Sequence, residues 1–241
     1  MIMSAGLCSN GVIPPTINLT VTGGNYFNVY DQAVSAGWNG VTPKQIVVSL
    51  SRGIVLGSSY TNSPAMKVDT RIPLNSSVII INDGLISGKG GEGGGLSSST
   101  SYGVNGENGG PSLWAERPCV VENLYQLFGG GGGAGSGRNY VYYGKTLQGG
   151  AGGGGAGTDV GLGGDSGNYF GGASGTRYYG GAGAQGEYFA GARGYSGGLG
   201  GSLGGVGGSA NGSTGGLPGY YIVGNQYVVW GHIGLRGGRV A

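Results

Sequence analysis

Apolar and polar residues alternate strictly in "INLTVT", with Ile17, Leu19 and Val21 set against Asn18, Thr20 and Thr22. That is the period of a half-buried strand. The spacing then lengthens. In "NYFNVYDQAVSAG" the apolar positions are Tyr26, Val29, Tyr30, Ala33 and Val34, the i, i+3, i+4, i+7 pattern of a helix, with Asn25 as N-cap and Gly37 as stop. "QIVVSL" and "GIVL" predict further strands, and "SVIIIN" (77–82) predicts a buried one ended by the Asp83-Gly84 turn. Together these elements predict a small α+β module over residues 1–83, suited to packing and attachment.

Beyond residue 83 the pattern changes. Of 64 glycines, residues 1–83 hold eight and the remaining 158 residues hold 56. Asked for a period, this second part answers three. Glycine stands at 88, 91, 94, at 103, 106, 109, at 149, 152, 155, 161, 164, 167, at 180, 183, 186, and at 191, 194, 197, 200. A stretch such as "GGLGGSLGGVGGSANGSTGG" (197–216) would serve as a flexible tether if it stood alone. A triplet column instead fits the extended left-handed helix of polyproline and collagen, with glycine clearing one face for a neighbouring backbone. Collagen itself does not fit. It needs an unbroken triplet and roughly 15–20% proline or more, whereas only Pro111, Pro118 and Pro218 fall in this part and the column changes register. The expectation is a polyglycine II helix bundle over residues 84–218, held by lateral backbone hydrogen bonds against the high entropy cost of ordering glycine.

An internal repeat joins the two parts. "SVIIINDGLISGKGGEGG" (77–94) and "PCVVENLYQLFGGGGGAG" (118–135) align at an offset of 41, matching Ile79 with Val120, Ile80 with Val121, Asn82 with Asn123, Ile86 with Leu127 and Gly88 with Gly129. Each copy reads as a buried strand running straight into a glycine tract. Two copies are too few to define a solenoid.

Aromatic clusters interrupt the glycine columns: "RNYVYY" (138–143), "NYF" (168–170), "TRYY" (176–179), "EYF" (187–189) and "RGY" (193–195). Tyrosine gives a stiff, amphipathic contact surface at low entropy cost, and adjacent arginines add donors and cation–π capacity. The candidate binding residues are therefore Arg138, Tyr140, Tyr142, Tyr143, Tyr169, Phe170, Arg177, Tyr178, Tyr179, Tyr188, Phe189 and Tyr195, with Arg193 beside them. The competing reading is that these rings fold back and seal the bundle ends.

Charge narrows the function. With 9% charged residues and a net charge of +2, the chain lacks the clustered Lys/Arg needed to neutralise phosphates, so no nucleic-acid partner is expected. The start has neither a basic n-region nor an apolar h-region, and no apolar run approaches the roughly 20 residues that span a bilayer. No signal peptide and no membrane insertion are expected. Cys8 and Cys119 read as two buried thiols, with one disulfide as the alternative.

Catalytic motifs are absent in any convincing form. Gly144-Lys145-Thr146 ends like a phosphate loop, but Asn139 stands where its first glycine belongs. "GGAGTD" (154–159) starts like a calcium-binding nonapeptide, but Gly161 occupies the aliphatic position and no tandem copy follows. His232 is the single histidine, which leaves no multi-histidine metal site. No enzyme, no cofactor and no metal are expected.

The C-terminal "GYYIVGNQYVVWGHIGLRGGRVA" (219–241) sets two apolar strands around Gly224-Asn225, a hairpin signal, so a C-terminal β-hairpin and tail are expected over 219–241. This segment resembles the end of glycine-rich bacteriophage tail-fibre and host-specificity proteins, and the strand-Asn-strand-glycine units at 77–94 and 118–135 resemble the same group. The distal tail-fibre adhesins of T-even-like phages are a further likeness over residues 77–241. The resemblance implies a virion protein at a tail or fibre tip, with a polyglycine II sandwich whose aromatic loops touch a bacterial surface receptor, an outer-membrane protein or a glycan. It also implies other tail or fibre proteins as partners, through the N-terminal module. The oligomeric state stays open between one copy capping a trimeric fibre and a homotrimer. Two rival readings are a purely structural tail-tip, fibre or baseplate component and a Gly/Tyr-rich low-complexity structural protein.

Overall fold

The computed structural model describes residues 14–95, 102–165 and 170–241. The alternation at its start does make a strand, β1 (Thr16–Val21), followed by the short β2 (Gly24–Asn25) and β3 (Phe27–Asn28) and by the helix α1 (Val29–Ser35). The chain then returns and repeats the circuit one layer on. β4 (Gln45–Leu50) lies parallel to β1, β5 (Val55–Gly57) to β2, and β6 (Met66–Val68) to β3. A third circuit adds β7 (Ser77–Asn82), β8 (Leu85–Ser87) and β9 (Leu113–Ala115). In the fourth, β10 (Cys119–Phe128) is long enough to pair with both β7 and β8. Between β10 and its circuit's closing strand stand β11 (Tyr140–Tyr142), β12 (Lys145–Leu147), β13 (Tyr188–Phe189) and β14 (Ala192–Arg193). β15 (Tyr220–Val223) then pairs with β9, and the last circuit lays β16 (Val228–Gly237) on β10 and β17 (Arg239–Val240) on β15.

All the ladders of this stack are parallel, which a chain achieves only by travelling a full circuit between neighbouring strands. The core lies inside the circuits. Leu19, Val48, Ile80 and Val121 stand in register along one row, and Ile46, Leu56, Met66, Ile86, Leu113, Leu127 and Ile222 are buried around it. The next inward row holds Val21, Leu50, Asn82 and Asn123. The two buried asparagines satisfy each other. Asn82 Nδ2 donates to Asn123 Oδ1 (2.8 Å) and to the Gln126 carbonyl (3.0 Å), Asn82 Oδ1 accepts from the Gly84 amide (3.1 Å), and Asn123 Nδ2 donates to the Leu235 carbonyl (3.2 Å). The sequence repeat at offset 41 is therefore the register of β7 on β10, residue for residue.

The helix is where its period placed it but starts later. Asn28, not Asn25, is the N-cap, its Oδ1 accepting from the amides of Tyr30 (3.0 Å) and Asp31 (3.3 Å). Phe27 and Asn28 are held extended by pairing with β6, which delays the first turn. Gly37 follows the helix in the left-handed region (φ 97°), as a stop should. Cys119 is a buried free thiol whose pKa burial pushes up to about 12, while Cys8 lies outside the described residues.

Two parts of the expected fold class need correction. The body is not a polyglycine II helix bundle appended to an α+β module. It is mainly parallel β structure running from β1 to β17, and α1 is the only α-helix among the described residues. The glycine tracts are extended insertions between β8 and β9 and between β10 and β15, and beyond the two hairpins β11–β12 and β13–β14 their described residues contain no regular strand or helix. A triplet column reports which residues approach a neighbouring backbone. It does not reveal that each insertion leaves from a strand of one parallel sheet, β8 or β10, and returns to a strand of the other, β9 or β15. The C-terminal hairpin is also absent: β15 and β16 belong to different sheets. Gly224 (φ 83°) turns a corner between them, and the amides of Gly224 and Asn225 both donate to the Ala241 carbonyl (2.7 and 2.9 Å).

Within the insertions, amides donate sideways at every third residue: Gly88 to Phe128, Gly91 to Gly131 and Gly94 to Ala134 on one seam, and Gly131 to Ala156, Ala134 to Gly153 and Gly137 to Gly150 on the next, all at 2.7–3.0 Å. The segments thus form a slab joined mainly by main chain, with a few side-chain bonds such as Ser213 Oγ to the Ser136 carbonyl and the Leu217 amide to Asn108 Oδ1. A Cβ on Gly130 would overlap the Lys89 carbonyl, and one on Gly88 the Gly110 carbonyl. Gly130→Ala is expected to cost about 3 kcal/mol or more, the upper end of overpacking penalties, read as a large fall in the thermal midpoint. Asn82→Ala, which strands the Gly84 amide and Asn123 Oδ1, is expected to cost about 2–3 kcal/mol in urea unfolding.

Candidate functional site

The directions of the glycine segments decide where the aromatic clusters go. Residues 129–138 leave the strands, and 148–157 return antiparallel to them, as the pairs Gly137–Gly150 and Gly131–Ala156 require. Nine residue steps separate the outer from the inner end, an upper bound of roughly 30 Å. A second pair does the same, with 180–187 outgoing and 194–201 returning, paired through Gly197–Ala184 and Gly200–Gly181. At the outer end each pair is closed by a hairpin, β11–β12 and β13–β14. Their roots touch: the Glu187 amide donates to the Gln148 carbonyl and the Gly150 amide to the Tyr195 carbonyl, both at 2.8 Å.

Both hairpins turn through two left-handed residues, Tyr143-Gly144 (φ 48° and 72°) and Ala190-Gly191 (φ 47° and 88°). Such turns match the right-handed twist of flanking strands. Tyr143, within the first turn, is 87% exposed, and Tyr188, two residues before the second, is 63% exposed.

The rings form a connected cluster. Tyr140 stacks on Tyr142 (centroids 6.3 Å apart) and meets Tyr195 edge-on at 6.0 Å, while Tyr143 meets Tyr142 edge-on at 4.5 Å. The Arg138 guanidinium lies 4.9 Å from the Tyr195 centroid and donates to its hydroxyl (3.4 Å). Arg193 lies 5.5 Å from the Tyr188 centroid and donates to Gln185 Oε1. Lys145 Nζ donates to Glu187 Oε1 (2.8 Å) and stands 4.4 Å from the Phe189 centroid. That ammonium, then the Gln148 amide on Oε2 (3.1 Å), holds the Glu187 carboxyl below its ordinary pKa.

Seven of the residues expected from the sequence therefore meet at one end: Arg138, Tyr140, Tyr142, Tyr143, Tyr188, Phe189 and Tyr195. Phe170 is close to this end, its carbonyl accepting from the Ala151 amide (2.9 Å). Tyr169 lies outside the described residues. Arg177, Tyr178 and Tyr179 go elsewhere. They form a turn closed by Thr176, whose carbonyl accepts from Gly157 (3.2 Å) and whose hydroxyl accepts from the Tyr179 amide (3.0 Å). Gly157 is at the inner end of its segment, so this turn faces the strand body. Sequence reasoning missed Lys145 and Glu187, which lie 42 residues apart.

The catalytic look-alikes have other employment. Gly144-Lys145-Thr146 lies in a hairpin, with no strand-to-helix turn around it. Among the described residues no group of three or more His, Cys, Asp and Glu is placed to hold a metal ion, and no helix is long and apolar enough to cross a membrane.

No curated protein matches the chain. Among solved structures it is similar to a chain of the gp37-gp38 adhesin tip complex of the bacteriophage S16 long tail fiber, with a TM-score of 0.64 and 20% identity over 95% of this chain and 82% of that one. At that identity the likeness is one of fold. The family model for the phage tail fibre adhesin Gp38 matches residues 16–241, which brings in the first circuits as well as the region from residue 77 that carried the resemblance in sequence. The chain belongs to the phage tail fibre adhesin Gp38 family, and its place is the tail fibre of the virion.

Proposed function

We propose that this adhesin recognises a bacterial cell-surface receptor, an outer-membrane protein or a glycan, through the two aromatic hairpins at the outer end of the glycine slab. The observation that carries this reading is the gathering of Arg138, Tyr140, Tyr142, Tyr143, Tyr188, Phe189 and Tyr195 at one solvent-facing end, far from the strand body. Exposed aromatic anchors flanked by arginine are the residue types that dominate recognition hot spots. The three tip cations, Arg138, Lys145 and Arg193, already face rings of this chain, which favours recognition by shape and stacking over long-range steering.

The strand body is then the end by which the adhesin joins other tail fibre proteins, with residues 1–83 as the attachment module. The similar S16 adhesin was crystallised in a complex with gp37, which supports a fibre partner of this kind. The Arg177–Tyr179 turn, at the inner end of the slab, is assigned away from the receptor face.

The test is phage adsorption. Replacing Tyr143 and Tyr188 together with alanine is expected to slow adsorption at least tenfold, consistent with loss of about 1.4 kcal/mol or more of binding, while the thermal midpoint stays within about 2 °C because both rings are exposed. Unchanged adsorption would favour a structural fibre component. Adsorption to protease-treated and to periodate-treated cells separates a protein receptor from a glycan.

A further inference from the structure

The two hairpins are short, with three and two residues per strand, and hairpins of this size are marginal by themselves. Their roots share main-chain bonds, but the turns at Tyr143-Gly144 and Ala190-Gly191 project beyond them. Below the turns, Tyr140 and Arg138 meet Tyr195; closer to the turns, Lys145 crosses between the two. Lys145 opens β12, stands opposite Tyr142 in the β11–β12 ladder, donates to Glu187 and places its ammonium over the Phe189 ring. Glu187 is in turn fixed by the Gln148 amide on its other oxygen.

We propose that Lys145 and Glu187 are a positioning pair that locks the two hairpins into one pre-ordered receptor face. The proposal rests on the reading that these hairpins are the receptor-contacting end, and it assigns the pair no direct contact with receptor. The side chains are 46% and 24% exposed, and ion pairs this open add little to global stability. What the pair does is local. It couples the ring set Tyr140, Tyr142 and Tyr143 on one hairpin to Tyr188 and Phe189 on the other. Ordering loops before an encounter removes a cost that binding would otherwise bear.

Lys145→Met keeps the apolar stem and removes the charge, and Lys145→Arg keeps the charge. Amide hydrogen exchange on the free protein reads the pair without any receptor. In Lys145→Met, exchange across 140–147 and 188–193 is expected to rise about tenfold while 131–137 and the thermal midpoint are unmoved. Adsorption is expected to slow about fivefold, and Lys145→Arg is expected to restore both. Hairpin exchange as slow as in the unaltered protein would overturn the proposal. So would faster exchange with normal adsorption, in a background where the Tyr143/Tyr188 double alanine variant abolishes adsorption. If that double variant itself adsorbs normally, the receptor reading falls and takes the proposal with it, a result distinguishable from the first because exchange in the free protein still responds to Lys145→Met.

Discussion

Backbone hydrogen bonding between parallel or antiparallel neighbours is the interaction on which every level of this structure depends. In the body it takes the ordinary form of strand ladders, with apolar side chains packed inside the circuits. In the slab it is nearly all there is. Segments there meet their neighbours through main-chain donors at every third residue, and a Cβ at glycines such as Gly88, Gly91 or Gly130 would collide with a neighbouring carbonyl. Glycine is costly to order, and the slab tolerates that cost because its segments are bonded on several sides and the first and last segment of each insertion is tied to a core strand.

Body and slab are therefore one construction. β8 and β10 run directly into glycine segments, and β9 and β15 receive the chain when it returns. The buried pair Asn82 and Asn123 lies just before these exits, bonded to each other and to the carbonyls of Gln126 and Leu235. This fixes the relative height of two successive circuits at the point where their insertions leave. A slip in that register would displace both outgoing segments relative to one another, and with them the seam from Gly88–Phe128 to Gly94–Ala134.

Much of this was legible in the residues. Alternation marked β1 and short apolar runs marked β4, β5 and β7, while the 41-residue repeat marked two strand–glycine units that turn out to lie in register. The period of three marked the close contacts of the slab. The fold class was misread because periodicity is local while a parallel sheet is not: nothing near residue 224 distinguishes a hairpin turn from a corner that hands the chain to a different sheet. The aromatic clusters were visible as candidates, but their division between two ends was not, since the direction of each glycine segment is set by pairing partners dozens of residues away. Lys145 and Glu187 were hidden for the same reason, being neighbours only once two hairpins share a root.

The pairing of β16 with β10 has a consequence for synthesis. Cys119 and Val228, which begin that ladder, are 109 positions apart. At a translation rate of about 5–20 residues per second, the outer edge of β10 waits roughly 5–20 s for its own partner. During that interval it is an open strand edge, able to accept the same strand from another nascent copy. The same chain order that completes the sheet last therefore leaves its outer edge unsealed until the final circuit is made.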